Sequence, residues 1–175
     1  MEIIKTNSSN YRNQLIALYI EAFSSGKSEQ HIDVSKLNQY LDLVLKHGYA
    51  LVAIAENELC GAIWVHPLNF DPLVPTEISK NVETEKCLYV AEMMVAEKVR
   101  GQGIGKQLLT TFFETADTSR FPDVFIRVWD ENIPALNLYR AIGFKDIAYI
   151  KQTKTTADES GTFVMQKIYL HKKLV

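Results

Sequence analysis

The chain has 175 residues, 47% hydrophobic and 23% charged, enough to bury a core without staples and too apolar for intrinsic disorder. Its 19 basic and 21 acidic residues leave a formal net charge of −2. With Lys172-Lys173 the nearest thing to a basic run, no electrostatic footprint for nucleic acid is present.

Residues 1–5 read as a short strand, and no basic stretch followed by an apolar one marks a signal peptide there. Leu15, Leu18, Tyr19, Ala22 and Phe23 then fall on one face of an amphipathic helix. Ser8, Ser9 or Asn10 is placed to cap its start, and Gly26 lies past its end. Leu37, Tyr40, Leu41, Val44 and Leu45 repeat the pattern, with Ser35 as the expected N-cap and Gly48 as a left-handed terminator.

Tyr49–Ala55 and residues 59–66 form a predicted hairpin across Glu56-Asn57-Glu58. The apolar run Tyr49–Ala55 is far short of the ~20 residues a membrane helix needs. Residues 67–86 hold Pro67, Pro72 and Pro75 without periodicity, so they read either as a binding loop or as a surface insertion or subunit contact.

Cys87–Val95 is an apolar, buried strand that runs into Arg100-Gly101-Gln102-Gly103-Ile104-Gly105. A helix opens there, with Ile104, Leu108, Leu109, Phe112, Phe113 and Ala116 inward. Pro122 turns the chain into the strand Asp123–Trp129. A further helix starts near Asn132, with Pro134 in its first turn, Ala135, Leu138, Tyr139 and Ile142 on its apolar face and Gly143 at its end. Residues 144–152 and 161–170 are the last strands. The whole reads as one α/β domain over residues 1–175, in which strand–helix–strand 87–129 forms a right-handed parallel crossover. Cys60 and Cys87 sit in apolar runs and read as buried free thiols, consistent with a cytoplasmic protein.

The glycine turn carries the chemistry. Alternating glycines at a helix start expose unpaired N–H groups and a partial positive charge, an anion site suited to a pyrophosphate. A plain turn that lets strand and helix pack closely is the other reading. Gly105-Lys106 is followed by Gln107, which breaks the P-loop pattern. Lys106 and Leu108 stand where the dinucleotide pattern requires glycine. The four histidines show no metal spacing, and no metal is expected.

Arg100-Gly101-Gln102-Gly103-Ile104-Gly105 resembles the [QR]-x-x-G-x-[GA] motif of the GNAT superfamily of N-acetyltransferases. Residues 132–144 are similar to that family's N-x-x-A-x-x-L-Y-x-x-x-G-F pattern through Asn132, Ala135, Leu138, Tyr139, Gly143 and Phe144. The resemblance implies a mixed, mostly antiparallel sheet of six or seven strands with flanking helices. Its one parallel pair, residues 89–95 and 124–129, should splay apart. Acetyl-CoA would then lie with its pantetheine arm in the wedge along Met93, Met94 and Val95. Its pyrophosphate would rest on Arg100, Gly101, Gln102, Gly103, Ile104 and Gly105, within reach of Lys106.

By the same resemblance Tyr139 is the proton donor to the leaving sulfur, although its helical stripe equally suits a core aromatic. Asn132 would contact the pantetheine arm or the substrate side while capping its helix. Glu92 stands at the position of the general base of some members, and strand alternation alone could equally turn it to solvent. Glu21, Glu83 and Glu85 are lesser candidates. Backbone amides of Met93 or Met94 would polarise the thioester.

The expected reaction is acetyl transfer to a primary amine of a small molecule or peptide. A non-catalytic acyl-CoA sensor, or a transferase of this fold with another acyl donor, is the alternative. The acceptor side should be walled by residues 24–34 and 67–86; acidic residues of the latter, Asp71 among them, favour a cationic amine. A homodimer is compatible with this reading; a membrane or nucleic-acid partner is not expected.

Overall fold

The computed structural model describes residues 1–24, 26 and 29–174. Seven strands form one sheet: β1 (Glu2–Thr6), β2 (Tyr49–Ala55), β3 (Glu58–Pro67), β4 (Cys87–Val95), β5 (Asp123–Trp129), β6 (Lys145–Thr155) and β7 (Thr162–Lys173). The spatial order is β1-β2-β3-β4-β5-β7-β6. All neighbours are antiparallel except β4 and β5. The helices are α1 (Arg12–Phe23), α2 (Val34–His47), α3 (Thr76–Ser79), α4 (Ile104–Thr115) and α5 (Ile133–Ala141). The expected mixed sheet with one parallel pair is therefore present.

Strand alternation divides the core between the two faces of the sheet. On one face Ile63, Val65, Val90 and Ile126 meet Leu108, Leu109 and Phe112 of α4 and Leu136 and Tyr139 of α5. On the other, Val52, Ala62, Trp64 and Met94 meet Leu15 and Leu18 of α1 and Leu37, Leu41 and Val44 of α2. Burying each large apolar side chain contributes about 1.5–3 kcal/mol.

Local signals explain the element ends, with departures from expectation at the hairpin turn and at both ends of α2. The β2–β3 turn places Glu56 and Asn57 at φ 51° and 62°, the positive pair that a two-residue hairpin requires. Glu58 already belongs to β3. Helix α2 is capped by Asp33, which accepts from the Lys36 N–H at 3.1 Å, rather than by Ser35. Gly48 ends α2 at φ −149°, not in the left-handed region. A glycine is needed there for space, since a Cβ would stand 1.8 Å from the Val65 carbonyl oxygen.

The proline-rich segment is structured. Leu68–Phe70 and Thr84–Lys86 are 3-10 turns flanking α3, and Leu68 and Ile78 pack with Tyr89, Phe125 and Tyr169. Cys60 and Cys87 are buried and free. Among the described residues no helix is long and apolar enough to cross a membrane.

The site is set by how β4 and β5 part. They pair only through Cys87–Val90 against Asp123–Ile126. On the β3 side, Val65 pairs with Val90 and Trp64 with Glu92, leaving Ala91 as the extra residue of a bulge. A bulge bends its strand and increases the local twist, so beyond Val90 the two parallel strands diverge.

Candidate active site

A groove of about 370 Å³ lies on the α4–α5 side of the wedge, and Met93, Val95, Arg100, Gly101, Gly103, Ile104, Gly105, Lys106, Asn132 and Tyr139 all line it. Gly101 and Gly103 adopt φ of 78° and 82° with nothing within 4 Å of the space a Cβ would take. These left-handed positions strain other residues. The first N–H of α4 to bond is that of Gln107, donating to the Gly103 oxygen at 3.0 Å; the amides before it point out of the helix start. The Gly105 Cβ direction faces Met93, Leu138 and Val95 at 3.5–3.8 Å. A side chain there would enter the groove.

Two expected residues fall outside the lining. Gln102 is exposed on the turn. Met94 points to the opposite face, buried against α1 and α2, which leaves its backbone as the only part of it near the wedge. Arg100 folds back, donating through Nε to the Val95 carbonyl at 3.1 Å.

An inner chamber of about 110 Å³ occupies the wedge itself, bounded by Glu92, Met93, Arg127, Trp129, Asn132, Tyr139 and Lys167 together with Phe23 and Gln30. Met93, Asn132 and Tyr139 line both this chamber and the groove. Gln30 also lines a third cavity of about 350 Å³, which opens on the α1–α2 side by Tyr19, Tyr40 and Lys154. The chamber thus shares lining residues with a cavity on each side of the sheet.

Tyr139 is held by α5. Asn132 caps that helix, its Oδ1 accepting from the Ala135 N–H at 3.3 Å. The Tyr139 ring sits edge-on to Phe144, and its hydroxyl faces the Met93 sulfur at 4.0 Å. Burial, with Glu92 nearby, holds this phenol well above its usual acidity range, so it stays protonated.

Glu92 faces inward, not to solvent. Its Oε1 accepts from the Tyr40 hydroxyl at 3.2 Å. Desolvation raises its pKa above the ordinary carboxylate value, opposed by Lys167, Arg127 and Lys154. Glu21 instead accepts from the Glu97 N–H at 2.7 Å, and Glu83 pairs with Lys86 at 2.7 Å. Neither these nor Glu85 lines the wedge.

Sequence reasoning missed the floor of the chamber. Arg127 donates through one Nη to both Asp71 oxygens at 3.0 Å, and the Tyr169 hydroxyl donates to Asp71 at 2.7 Å. Asp71 is 4% exposed and spent on this pairing, so it offers no free charge to a cationic amine. No residue of the 67–86 segment, Asp71 included, lines the chamber. Of the 24–34 connection, Gln30 does line it, while residues 25, 27 and 28 lie outside the described residues. Charged residues in apolar strands, Arg127 in Val-Phe-Ile-Arg-Val-Trp and Lys167 between Met165 and Tyr169, were the available signal.

Among the described residues, no three His, Cys, Asp or Glu side chains group as a metal site would require. The groove presents outward amides at its helix start, a slot free of side chains at Gly105, and the buried Tyr139 hydroxyl at its inner end.

The acetyltransferase (GNAT) family model matches residues 12–144. The uncharacterized N-acetyltransferase YobR of Bacillus subtilis is 36% identical over 59 residues, 34% of this chain and 24% of that protein. The chain thus matches about a quarter of that relative's length. Among solved structures, the ribosomal-protein-alanine N-acetyltransferase of Brucella melitensis superposes with a TM-score of 0.75 at 21% identity, covering 99% of each chain. The Salmonella typhimurium protein yncA, solved with its cofactor acetyl-CoA, gives 0.73 at 13% identity over 100% of this chain and 95% of that one. At these identities the likeness is one of fold.

Proposed function

The chain belongs to the acetyltransferase (GNAT) family, and from that premise we propose that it moves an acetyl group from acetyl-CoA to a primary amine by direct attack. The observation that carries this reading is a groove on the α4–α5 side and a chamber in the wedge that share Met93, Asn132 and Tyr139 as lining. The donor occupies the α4–α5 groove and the acceptor enters from the α1–α2 side.

The cofactor's pyrophosphate takes the amides of the turn from Arg100 to Gly105, with Lys106 beside it. Arg100 exchanges its bond to Val95 for a phosphate, which releases that strand carbonyl toward the pantetheine arm. An alkylamine resembling lysine, with a pKa near ~10.4, arrives mostly as ammonium and must lose a proton. Glu92 takes it, a role suited to a carboxylate whose affinity for protons is already raised. The nitrogen then attacks the thioester carbon, and amides of Met93 or Met94 hold the oxyanion. As the tetrahedral adduct collapses the carbon–sulfur bond breaks, Tyr139 gives its proton to the departing sulfur, and the second proton of the attacking nitrogen returns to the Tyr139 oxygen, leaving a neutral amide, a thiol and protonated Glu92.

The test is turnover of purified protein with acetyl-CoA and an amine library, following free thiol and acetylated amine together. Thiol and product should appear mole for mole.

A further inference from the structure

Lys154 and Lys167 project from adjacent strands onto the acceptor face, and among the described residues neither forms an ion pair or a side-chain hydrogen bond. Register places them there. Arg127 pairs with Tyr169 and Trp129 with Lys167 across β5 and β7, while Lys167 pairs with Ile150 and Phe163 with Lys154 across β7 and β6. Pairs directly opposite share a face, so Arg127, Lys167 and Lys154 all point toward the side covered by α1 and α2. Lys167 lines the inner chamber and Lys154 the outer cavity that shares Gln30 with it.

The charges do not balance. Arg127 is matched by Asp71, leaving, among the described residues lining the two cavities and outside the mouth pairs, Lys154 and Lys167 against Glu92. Burial and the two neighbouring cations push the Lys167 ammonium down to about 8, with only Glu92 and Asp71 acting the other way. Lys154 is lowered as well, by burial first. At the mouth, Asp33 and Lys36 offset each other at 3.7 Å. Holding unpaired ammonium groups away from water is costly, and once Glu92 takes up the substrate's proton the excess grows to two. A second cation on the substrate would add to it, whereas an anion would relieve it.

We propose that the acceptor is a small aminocarboxylate, whose carboxylate is held by Lys167 and Lys154 while its amine faces Glu92. The inference rests on the transferase reading above and names its substrate class. The inner chamber of about 110 Å³ admits the amine end of a slim molecule.

Matched acceptors test this: short amino acids, their carboxamides, and diamines of equal length. The wild type should favour the acid over its carboxamide in kcat/KM by at least about tenfold, about 1.4 kcal/mol, with the diamine poorest. In a Lys154→Met/Lys167→Met protein the acid-to-amide ratio should fall toward one, and Lys167→Arg should retain it. Calorimetry of acid and amide binding to CoA-loaded protein reads the same preference without turnover. A wild type that prefers carboxamide or diamine overturns the proposal, as does an unchanged ratio in a double variant that melts like the wild type. If no amine of any class is acetylated, the transferase reading fails, and the calorimetric preference decides the carboxylate site by itself.

Discussion

The Tyr139 hydroxyl faces the Met93 sulfur at 4.0 Å, so α5 closes over β4 at the residue that follows Glu92. Tyr139 and Glu92, the proposed proton donor and acceptor, thereby line one wedge. Tyr139→Phe keeps the ring against Phe144 and should leave the melting temperature nearly unchanged. Loss of a general acid typically costs ~10²–10⁴-fold, so kcat should fall in about that range when sulfur departure limits the rate. Acetyl-CoA affinity should be close to wild type. Full turnover in a stable Tyr139→Phe protein would remove the residue from the mechanism.

Glu92→Gln should lower turnover at neutral pH and leave cofactor affinity intact. The deficit should shrink as pH rises toward the amine's own pKa, near ~10.4, where free base is abundant. Stability carries a matching sign. The native pKa of Glu92 lies above its unfolded value, so this residue's ionisation destabilises the fold progressively as pH rises from the unfolded value through the native one. That part of the pH dependence should disappear in Glu92→Gln. A rate profile superimposable on wild type would exclude Glu92 as the base.

For the cofactor groove, Gly105→Leu is a cleaner probe than substitution at Gly103. Gly103 sits at φ 82°, where any side chain strains the turn. Gly105 is helical, and its Cβ direction meets only ordinary contacts before entering the groove. Replacing a helical glycine favours the helix by up to ~1 kcal/mol. Affinity for acetyl-CoA should nevertheless drop at least about tenfold, about 1.4 kcal/mol. Wild-type binding by calorimetry would displace the assigned groove.

The parts of this architecture legible in the sequence are local ones. The Arg100-to-Gly105 turn, the Asn132 cap and the stripe carrying Tyr139 each depend on neighbours within a few residues. The floor of the chamber does not. Arg127 reaches Asp71 across 56 positions and Asp71 reaches Tyr169 across 98, contacts made only once the sheet has assembled. The face taken by Glu92 was equally hidden, because the bulge at Ala91 shifts the alternation by one. At the start of α2, Asp33 and Ser35 are both competent caps, and only the bond from the Lys36 N–H distinguishes them.

Lys167 gives a prediction with a defined pH window. Its ammonium faces Lys154 on β6 and Arg127 on β5, with Glu92 on β4 and Asp71 beyond, and its pKa is pushed down to about 8. The unfolded value lies near ~10.4. The native state is therefore penalised fully below about 8, and the penalty fades as pH rises toward the unfolded value. Lys167→Met should raise the melting temperature near pH 7 and lose that advantage by pH 10. A gain independent of pH would point to packing instead of charge.

The measurement closest to the central claim is the stoichiometry of a single reaction: CoA thiol released against acetylated amine formed, at saturating acetyl-CoA with short amino acids as acceptors. A transferase working across the β4–β5 wedge produces one amide per thiol, at a rate that collapses in Tyr139→Phe. Tight acetyl-CoA binding without amide formation from any amine, or thiol release without amide, would contradict it.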